Sequence, residues 1–401
     1  MSKSWALHLS AVAITVASLS LSPSQAGAAD KVKIGFLSSM SGPSAVLGKD
    51  MNDGAQLAIE HLAARGSGIP LELLIEDDQV DPQVGVQKTQ KLIEKDGVDI
   101  MAGTIFGNVA QAIMPVVTKS GIPAVMTVGS NPPTLGADCN ENYFTVAWTI
   151  DDNYQALGTY LNEKNIKTVS ILAPNYIAGK LIADGFKRTY KGKVLSEVFT
   201  KINQPDYSVE LTQVRADKPE AVVVFYPGGM GISFLKQYSA MGLLKQIPLY
   251  SSVFIADEMM FPALGDIPLG LVTTSNWSPE LDNPANKRFV EAFVKKTGHR
   301  PTSMAAMGYD TIMLIDSAVQ QTKGNVRGSD ANRAAFRDAL RAAKFESVRG
   351  SFRFNNNNFP VQSYYLNEVA KDSSGKLYNK LLGVALKDKE DAYHNACPMK
   401  W

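Results

Sequence analysis

Val32-Lys33-Ile34-Gly35-Phe36-Leu37, then the turn Ser41-Gly42-Pro43, then a helical pattern from Asn52 to Ala64 with Ala55, Ala58, Ile59 and Leu62 on one face: this stretch reads as strand, turn and helix. The unit then repeats. Pro70 to Ile75 is a second strand, ending in the acidic cluster Glu76-Asp77-Asp78, and Asp81-Pro82 supplies an N-cap with proline at the first helical position. The helix it opens is expected to bury Val84, Leu92 and Ile93. Ile100 to Ala102 and Ile122 to Met126 follow as strands around a helix from Val109 to Thr118. Strands alternating with helices imply a parallel sheet covered on both faces.

The alternation restarts beyond Trp148. Helical patterns over Tyr154 to Leu161, Gly179 to Tyr190, Val209 to Arg215 and Gly231 to Met241 separate apolar runs at Thr168 to Ala173, Val194 to Phe199, Ala221 to Tyr226 and Pro248 to Tyr250. This predicts a second doubly wound lobe. After a strand at Leu271 to Thr274, three helical patterns follow without a strand between them: Pro284 to Lys296, Met304 to Gln320 and Ala331 to Lys344. Helices alone cannot build a third parallel lobe, so they are expected to pack on one already made. Val361 to Val369 is an aromatic-rich strand, and the Asn355 to Asn358 run before it reads as a loop.

The amino terminus has its own pattern. Lys3, an apolar run from Leu7 to Leu21 and the small residues Ser24 to Ala29 have the order of a secretory signal peptide, with cleavage expected after Ala28. The apolar core is shorter than the roughly 20 residues that span a bilayer. Residues 29–401 are too long for one small core and fit two lobes. Lys+Arg 40 against Asp+Glu 39 leaves no net field to attract nucleic acid or an anionic membrane. Cys139 and Cys397 are either two unrelated buried thiols or, as the oxidising exterior favours, a disulfide tying the carboxyl-terminal tail to a distant loop.

The residues also exclude chemistry. Four histidines exist: His8 lies in the signal segment, His61 in a helical pattern one turn from Arg65, His299 in a Thr-Gly-His-Arg-Pro stretch that reads as a surface loop, and His394 near Cys397. No Gly-x-Ser-x-Gly elbow, His-Glu-x-x-His pair, phosphate loop or Gly-x-Gly-x-x-Gly follows a strand. No enzyme, cofactor or metal is expected. Instead, Ser39 to Gly42, Gly107-Asn108 and Gly129-Ser130-Asn131 fall between strand ends and helix starts, where backbone N–H groups and small polar side chains can hold a carboxylate. Tyr176, Tyr226 with Met230, and Val253-Phe254 occupy the matching strand ends of the second lobe, and Phe106, Trp148, Met304 and Tyr309 can line the hinge side. Together they suggest an apolar cleft with a few polar fixings.

Several stretches resemble the extracytoplasmic solute-binding proteins of branched-chain amino-acid type ABC transporters. They are Ile34 to Pro43 with Gly48, Asn52-Asp53-Gly54-Ala55, Glu76-Asp77-Asp78, Gly121-Ile122-Pro123 leading to Ser130-Asn131-Pro132, Ala173-Pro174-Asn175-Tyr176 with Gly179, and Gly308-Tyr309-Asp310. The resemblance covers nearly all of the mature chain. It implies an α/β type I periplasmic binding protein fold, two doubly wound parallel-sheet lobes joined by a three-strand hinge near Trp148, Asn276 and Gly350. Lobe I is expected over 29–148 plus 277–350 and lobe II over 149–276 plus 351–401, closing on a ligand between them. It implies a monomeric periplasmic carrier that meets a permease and ATPase complex in the inner membrane. A sensory protein of the same fold is the alternative.

In amino-acid-binding members an acidic residue after the strand here ending at Tyr250 pairs with the ligand ammonium; an ungapped alignment puts Val253 or Phe254 there. Asp257 and Glu258 lie a few residues on. Ala178 stands where amino-acid binders often carry a bulkier aromatic. The expected ligand is therefore an aromatic carboxylate, a benzoate or a hydroxycinnamate, held by Ser130, Asn131 and Asn108 with Ser41 and Gly107 nearby, and stacked near Tyr176, Tyr226 and Phe254. Branched-chain or other amino-acid binding is the alternative.

Overall fold

Each apolar run becomes a strand buried between helices, because a parallel sheet needs a crossover helix on one face or the other for every strand pair. The computed structural model describes Met1 and residues 31–42, 44–66, 68–127 and 132–400. The signal segment beyond Met1 lies outside the described residues. The first layer runs β1 (Val32–Ser38), α1 (Ala45–Ala64), β2 (Leu71–Asp77), α2 (Pro82–Gln90), β3 (Ile100–Gly103), α3 (Gly107–Ser120), β4 (Ala124–Met126), α4 (Pro132–Leu135) and β5 (Tyr143–Thr145). Its sheet has the order β2-β1-β3-β4-β5, parallel throughout. Asp81 caps α2 as expected, accepting from the backbone N–H of Gln83 and Val84. Of the three residues expected under that helix, Leu92 is buried while Val84 and Ile93 are only half-buried.

The second layer runs α5 (Ile150–Glu163), β6 (Thr168–Pro174), α6 (Ile177–Thr189), β7 (Lys193–Thr200), α7 (Ser208–Asp217), β8 (Ala221–Val224), α8 (Gly229–Ala240), β9 (Leu249–Ser252), α9 (Phe261–Leu264) and β10 (Val272–Ser275). Then come α10 (Pro284–Thr297), α11 (Ser303–Gln321), α12 (Asp330–Ala342), β11 (Arg353–Phe354), β12 (Pro360–Lys371) and β13 (Leu377–Lys389). The second sheet has the order β11-β12-β10-β9-β8-β6-β7, with β13 on β12. β12 is antiparallel to β10 and forms a hairpin with β13.

The strand-free helices return to the first layer, where α11 packs along α1. Two glycines allow this crossing: a Cβ on Gly54 would stand 2.0 Å from the Ala305 carbonyl oxygen, and one on Gly308 would stand 2.1 Å from that of Met51. Backbone meets backbone there, so no larger residue fits. The chain thus passes between layers three times, between β5 and α5, β10 and α10, and α12 and β11. α1 starts at Ala45, earlier than its pattern suggested, because Leu47, Met51, Ala55 and Ala58 form one continuous buried face interrupted in sequence by Gly48, Lys49 and Asp50.

Two polar features tie these passages together. Asp310 of α11 is fully buried, accepting from the Ser347 hydroxyl at 2.6 Å, the Val348 N–H at 3.0 Å and Arg349 Nε at 3.3 Å. Arg349 Nη1 donates to Gln362 Oε1 at 2.8 Å, and Gln362 Nε2 donates to the Ala147 carbonyl at 2.9 Å. The chain of contacts therefore runs from α11 through the third passage to the first. Burial pushes the Asp310 carboxyl above its ordinary range even beside the guanidinium. Secondly, a disulfide joins Cys139, between α4 and β5, to Cys397, their Cα atoms 5.6 Å apart and 258 residues apart in sequence.

Arg349→Ala is expected to cost about 3–5 kcal/mol by urea unfolding, because it leaves the Asp310 carboxylate buried without its cation. Adding Asp310→Leu to that variant should recover part of the loss; an Arg349→Ala loss below about 1 kcal/mol would show the pair to be energetically idle. For the disulfide, reduction is expected to lower stability by roughly 2–5 kcal/mol. Thiol labelling of the unreduced, denatured protein should find neither cysteine, and two labelled thiols would contradict the bridge.

Candidate functional site

In a doubly wound fold the loops leaving the strand ends become helix N-termini, and here five of them, joined by the start of α11 after α10, converge on one cleft. Leu47 near the start of α1, Gly107 opening α3, Ile177 opening α6, Pro227 just before α8, Ile150 opening α5 and Met304 near the start of α11 all line it. The first four helices carry no side-chain cap bond and no acidic residue in their first turn. No side chain satisfies their leading N–H groups, though in α1 the Ala45 and Leu47 N–H groups bond the carbonyls of Gly42 and Ser44, and the positive ends of four helix dipoles meet at the cleft. α3 and α6 face each other across it: a Cβ on Gly107 would meet the Ile177 side chain at 3.6 Å. Gly228, the residue before α8, has φ +62° and sits 3.4 Å from Leu47 by the same measure, a backbone shape open to glycine.

The walls are aromatic and aliphatic. Trp148 and Phe254 stack with ring centroids 4.8 Å apart and planes within 21°, and Tyr176 lies over Phe225 at 6.4 Å and 24°. Ile105, Phe106, Ile150, Ala178 and Leu181 complete the lining, and no Asp, Glu, Lys, Arg or His belongs to it among the described residues. The remaining cavity is about 50 Å³. That volume admits water but not an aromatic ring, so the walls must part for anything larger. Burial pushes the Tyr176 hydroxyl far above its ordinary range, which keeps it a neutral hydrogen-bonding group. Beside the cleft, Asn108 Oδ1 is buried and has no hydrogen-bond partner.

The structure sorts the expected site residues into three groups. Phe106, Gly107, Tyr176 and Phe254 line the cleft, with Trp148 and Met304, and Asn108 adjoins it. Gly129, Ser130 and Asn131 lie outside the described residues. Ser41, Tyr226, Met230 and Tyr309 are elsewhere. Ser41 is exposed and bonds to Asp77, which also takes the Met40 N–H at 2.8 Å and the Gln79 N–H at 2.9 Å. The acidic cluster after β2 therefore shapes the β1–α1 loop: Asp78 holds the Ser39 hydroxyl at 2.6 Å and the Val80 N–H at 2.9 Å.

Tyr226 is fully buried in the second layer, stacked on Phe234 at 4.8 Å with its hydroxyl 3.2 Å from that of Thr200. Just beyond β8, Phe225 takes the cleft and Tyr226 the core. Met230 packs inside with its sulfur 3.4 Å from the Asn203 N–H. Tyr309, one turn beyond Met304 on α11, faces the other way: its hydroxyl meets His61 Nδ1 at 2.9 Å on the wall of a separate groove of about 830 Å³. Sequence reasoning missed Leu47, Ile105, Ile150, Phe225 and Leu181; only Ile177 and Leu181, four apart on α6, carry a signal, the spacing of one helix face.

Asp257 and Glu258 also turn away. Asp257 caps a short helical turn by accepting from the Glu258 N–H at 2.9 Å, and Glu258 Oε1 accepts from the Asn379 N–H at 2.9 Å. With Val253 they line a different cavity, of about 10 Å³, beside Trp277, Asn367 and Asn379. Burial pushes Asp257 well above the carboxylate range and Glu258 to about 7. The arrangement in the cleft can grip an anion with backbone N–H groups and an apolar body with rings; among the described residues its lining has no acid to meet a cation.

Comparison with known proteins agrees with this geometry. A family model described as "Periplasmic binding protein" matches residues 31–376. The Leu/Ile/Val-binding protein homolog 6 of Brucella melitensis is 27% identical over 379 residues, covering 92% of this chain and 95% of the relative. Among solved structures, a solute-binding protein of an ABC transporter from R. palustris in complex with benzoate is 28% identical with a TM-score of 0.84, covering 92% of this chain and 100% of the other. Another, from Rhodopseudomonas palustris BisB5 in complex with 3,4-dihydroxy benzoic acid, is also 28% identical, with a TM-score of 0.80 over 90% of this chain and 99% of that one. The shared architecture is the type I periplasmic binding fold.

Ala178→Trp tests whether the walls part. In a rigid interior such overpacking costs about 1–3 kcal/mol. Here the expected loss is below about 1 kcal/mol, together with a larger radius of gyration by small-angle scattering; a full loss at unchanged radius would mean a fixed core.

Proposed function

We propose, for a chain that belongs to the periplasmic binding protein family of branched-chain amino-acid transporters, that its ligand is an aromatic carboxylate of the benzoate or hydroxycinnamate class. The family is one of solute-binding proteins, which capture small molecules and work with a membrane permease and ATPase, and membership supports a periplasmic location. The observation that carries the ligand class is a cleft walled by stacked rings, rimmed by four uncapped helix N-termini and lined by no acid. The carboxylate would sit at the N-termini of α3 and α6 near Asn108, and the ring between Tyr176 and Phe254.

An α-amino acid brings an ammonium group. Burying it without a partner costs several kcal/mol, a large part of the ~8 kcal/mol behind micromolar binding. Asp257 Oδ1 caps a turn and Glu258 Oε1 holds Asn379, both in another cavity, where Asp257 Oδ2 is buried without a hydrogen-bond partner. The benzoate and dihydroxybenzoate complexes of the two Rhodopseudomonas proteins support the aromatic reading, while the names of the curated relatives favour branched-chain amino acids. The lobes, 29–148 plus 277–350 and 149–276 plus 351–401, would open about the three passages to admit the ring and close on it, in a monomeric carrier that performs no chemistry.

Titration calorimetry of the mature protein with benzoate, 4-hydroxycinnamate, leucine and valine decides the ligand class. Micromolar or tighter binding of at least one aromatic acid, and none of leucine or valine below millimolar, is expected. Tight binding of leucine or valine without the aromatic acids would return the cleft to its amino-acid relatives.

A further inference from the structure

Away from the cleft, the segment before α11 meets α1 in a cluster of mixed chemistry. A carboxylate oxygen of Asp50, one of Asp53 and a ring nitrogen of His299 all lie within 4.8 Å of one another. His299, expected in a surface loop, is instead half-buried against α1, its ring edge-on to Phe293 at 5.5 Å. Asp50 is fully buried: Oδ2 accepts from the Thr302 N–H at 2.9 Å and from the Thr302 hydroxyl. Its other oxygen, Oδ1, has no hydrogen-bond partner and faces His299 Nε2 at 3.8 Å. A lone carboxylate oxygen in the interior is costly unless a cation or a donor reaches it.

The imidazole is already oriented. His299 Nδ1 stands 2.9 Å from the Arg300 carbonyl oxygen, which can only accept, so Nδ1 carries a proton. In the neutral ring Nε2 then carries a lone pair, and Nε2 stands 3.8 Å from the unpaired Asp50 oxygen. This is the tautomer and second-sphere bond of a metal-binding histidine, whose far N–H is held by a backbone carbonyl. Asp53, three residues along α1 from Asp50, shares its face. One Asp53 oxygen holds Lys49 Nζ, whose side chain is mostly exposed and free to rotate into solvent.

We propose that Asp50, Asp53 and His299 form a divalent transition-metal site, zinc being the ion whose ligand preferences suit one imidazole and two carboxylates. Such an ion would supply the missing partner of Asp50 and pin the α10–α11 connection to α1, on the first-layer side of the closing cleft. Tetrahedral donors about 2.0–2.2 Å from an ion stand roughly 3.3–3.6 Å apart, so Asp50 and His299, 3.8 Å apart, need a small contraction, and Asp53, within 4.8 Å of both, has to swing in. The site does not depend on which ligand the cleft takes.

The test is titration calorimetry of the untagged, EDTA-treated mature protein with zinc chloride, repeated on His299→Ala and Asp53→Asn and paired with thermal unfolding. One saturable site at micromolar zinc is expected. Each substitution should weaken it at least about tenfold, the lower end of what losing even an outer-sphere partner of a metal costs. Zinc should raise the melting temperature of the parent and not that of His299→Ala, while circular dichroism confirms that both variants fold. No saturable binding below about 1 mM, or zinc affinity unchanged in both variants, would overturn the site. A His299→Ala protein that is less stable while the parent shows no zinc response would assign the cluster to an ion pair between His299 and Asp50, which also overturns it.

Discussion

The buried pair of Asp310 and Arg349 is the constraint on which the two-layer arrangement turns. Asp310 belongs to a helix of the first layer, Arg349 to the passage that leads into the strands of the second, and Gln362 carries the connection to the carbonyl of Ala147 in the first passage. A buried ion pair adds little net stability over a well-packed apolar alternative, but it is satisfied in one geometry alone. Here that geometry aligns three separate chain segments, and with them the strand ends that face each other across the cleft. The glycine crossing of α1 and α11 serves the same end from the other side by seating the returning helix against the first layer.

The cleft follows from that alignment. Parallel strands send their connections to one edge, where each helix begins, so the positive ends of α1, α3, α6 and α8 gather without any basic side chain. Such a rim favours an anion by partial charges fixed in the backbone, which need no side chain to be ordered on binding. The opposite charge is withheld. Asp257 and Glu258, though near Phe254 in sequence, each place one oxygen on a backbone N–H, of a turn cap and of β13, and line a separate cavity. The stack of Trp148 on Phe254 closes the cleft at a spacing too tight for a ring between them, while Tyr176 on Phe225 packs one wall, so a ligand contact has to replace a wall contact.

Most of the secondary structure was legible in the hydrophobic periodicity, because a strand covered on both faces is a short apolar run and a covering helix shows a stripe. What escaped had no such mark. β13 is a two-layer edge strand whose alternation is diluted by lysines, Leu377-Tyr378-Asn379-Lys380-Leu381, and it forms because β12 offers a free edge. The start of α1 was hidden by Gly48, Lys49 and Asp50: Gly48 packs against the backbone of Ser39, and Asp50 is held by Thr302 and faces His299, about 250 residues away. Of the site, the loops that deliver it could be placed by counting from strand to helix. Which side chain of a neighbouring pair faces inward could not: Phe225 and Tyr226 are both aromatic, and only packing around the end of β8 sends the first to the cleft and the second to the core.

The sequence by itself determined the two alternating lobes, the return of three helices to the first, the cysteine pair as a candidate bridge and the absence of any familiar catalytic constellation, since each is a matter of local pattern or of residue inventory. Tertiary structure alone decided that Tyr309 belongs to an outer groove with His61, that Asp257 and Glu258 face away from the cleft, and that His299 meets Asp50. Those outcomes rest on the direction a side chain takes once its backbone is packed, and direction is set by contacts between segments hundreds of residues apart, which no local pattern encodes.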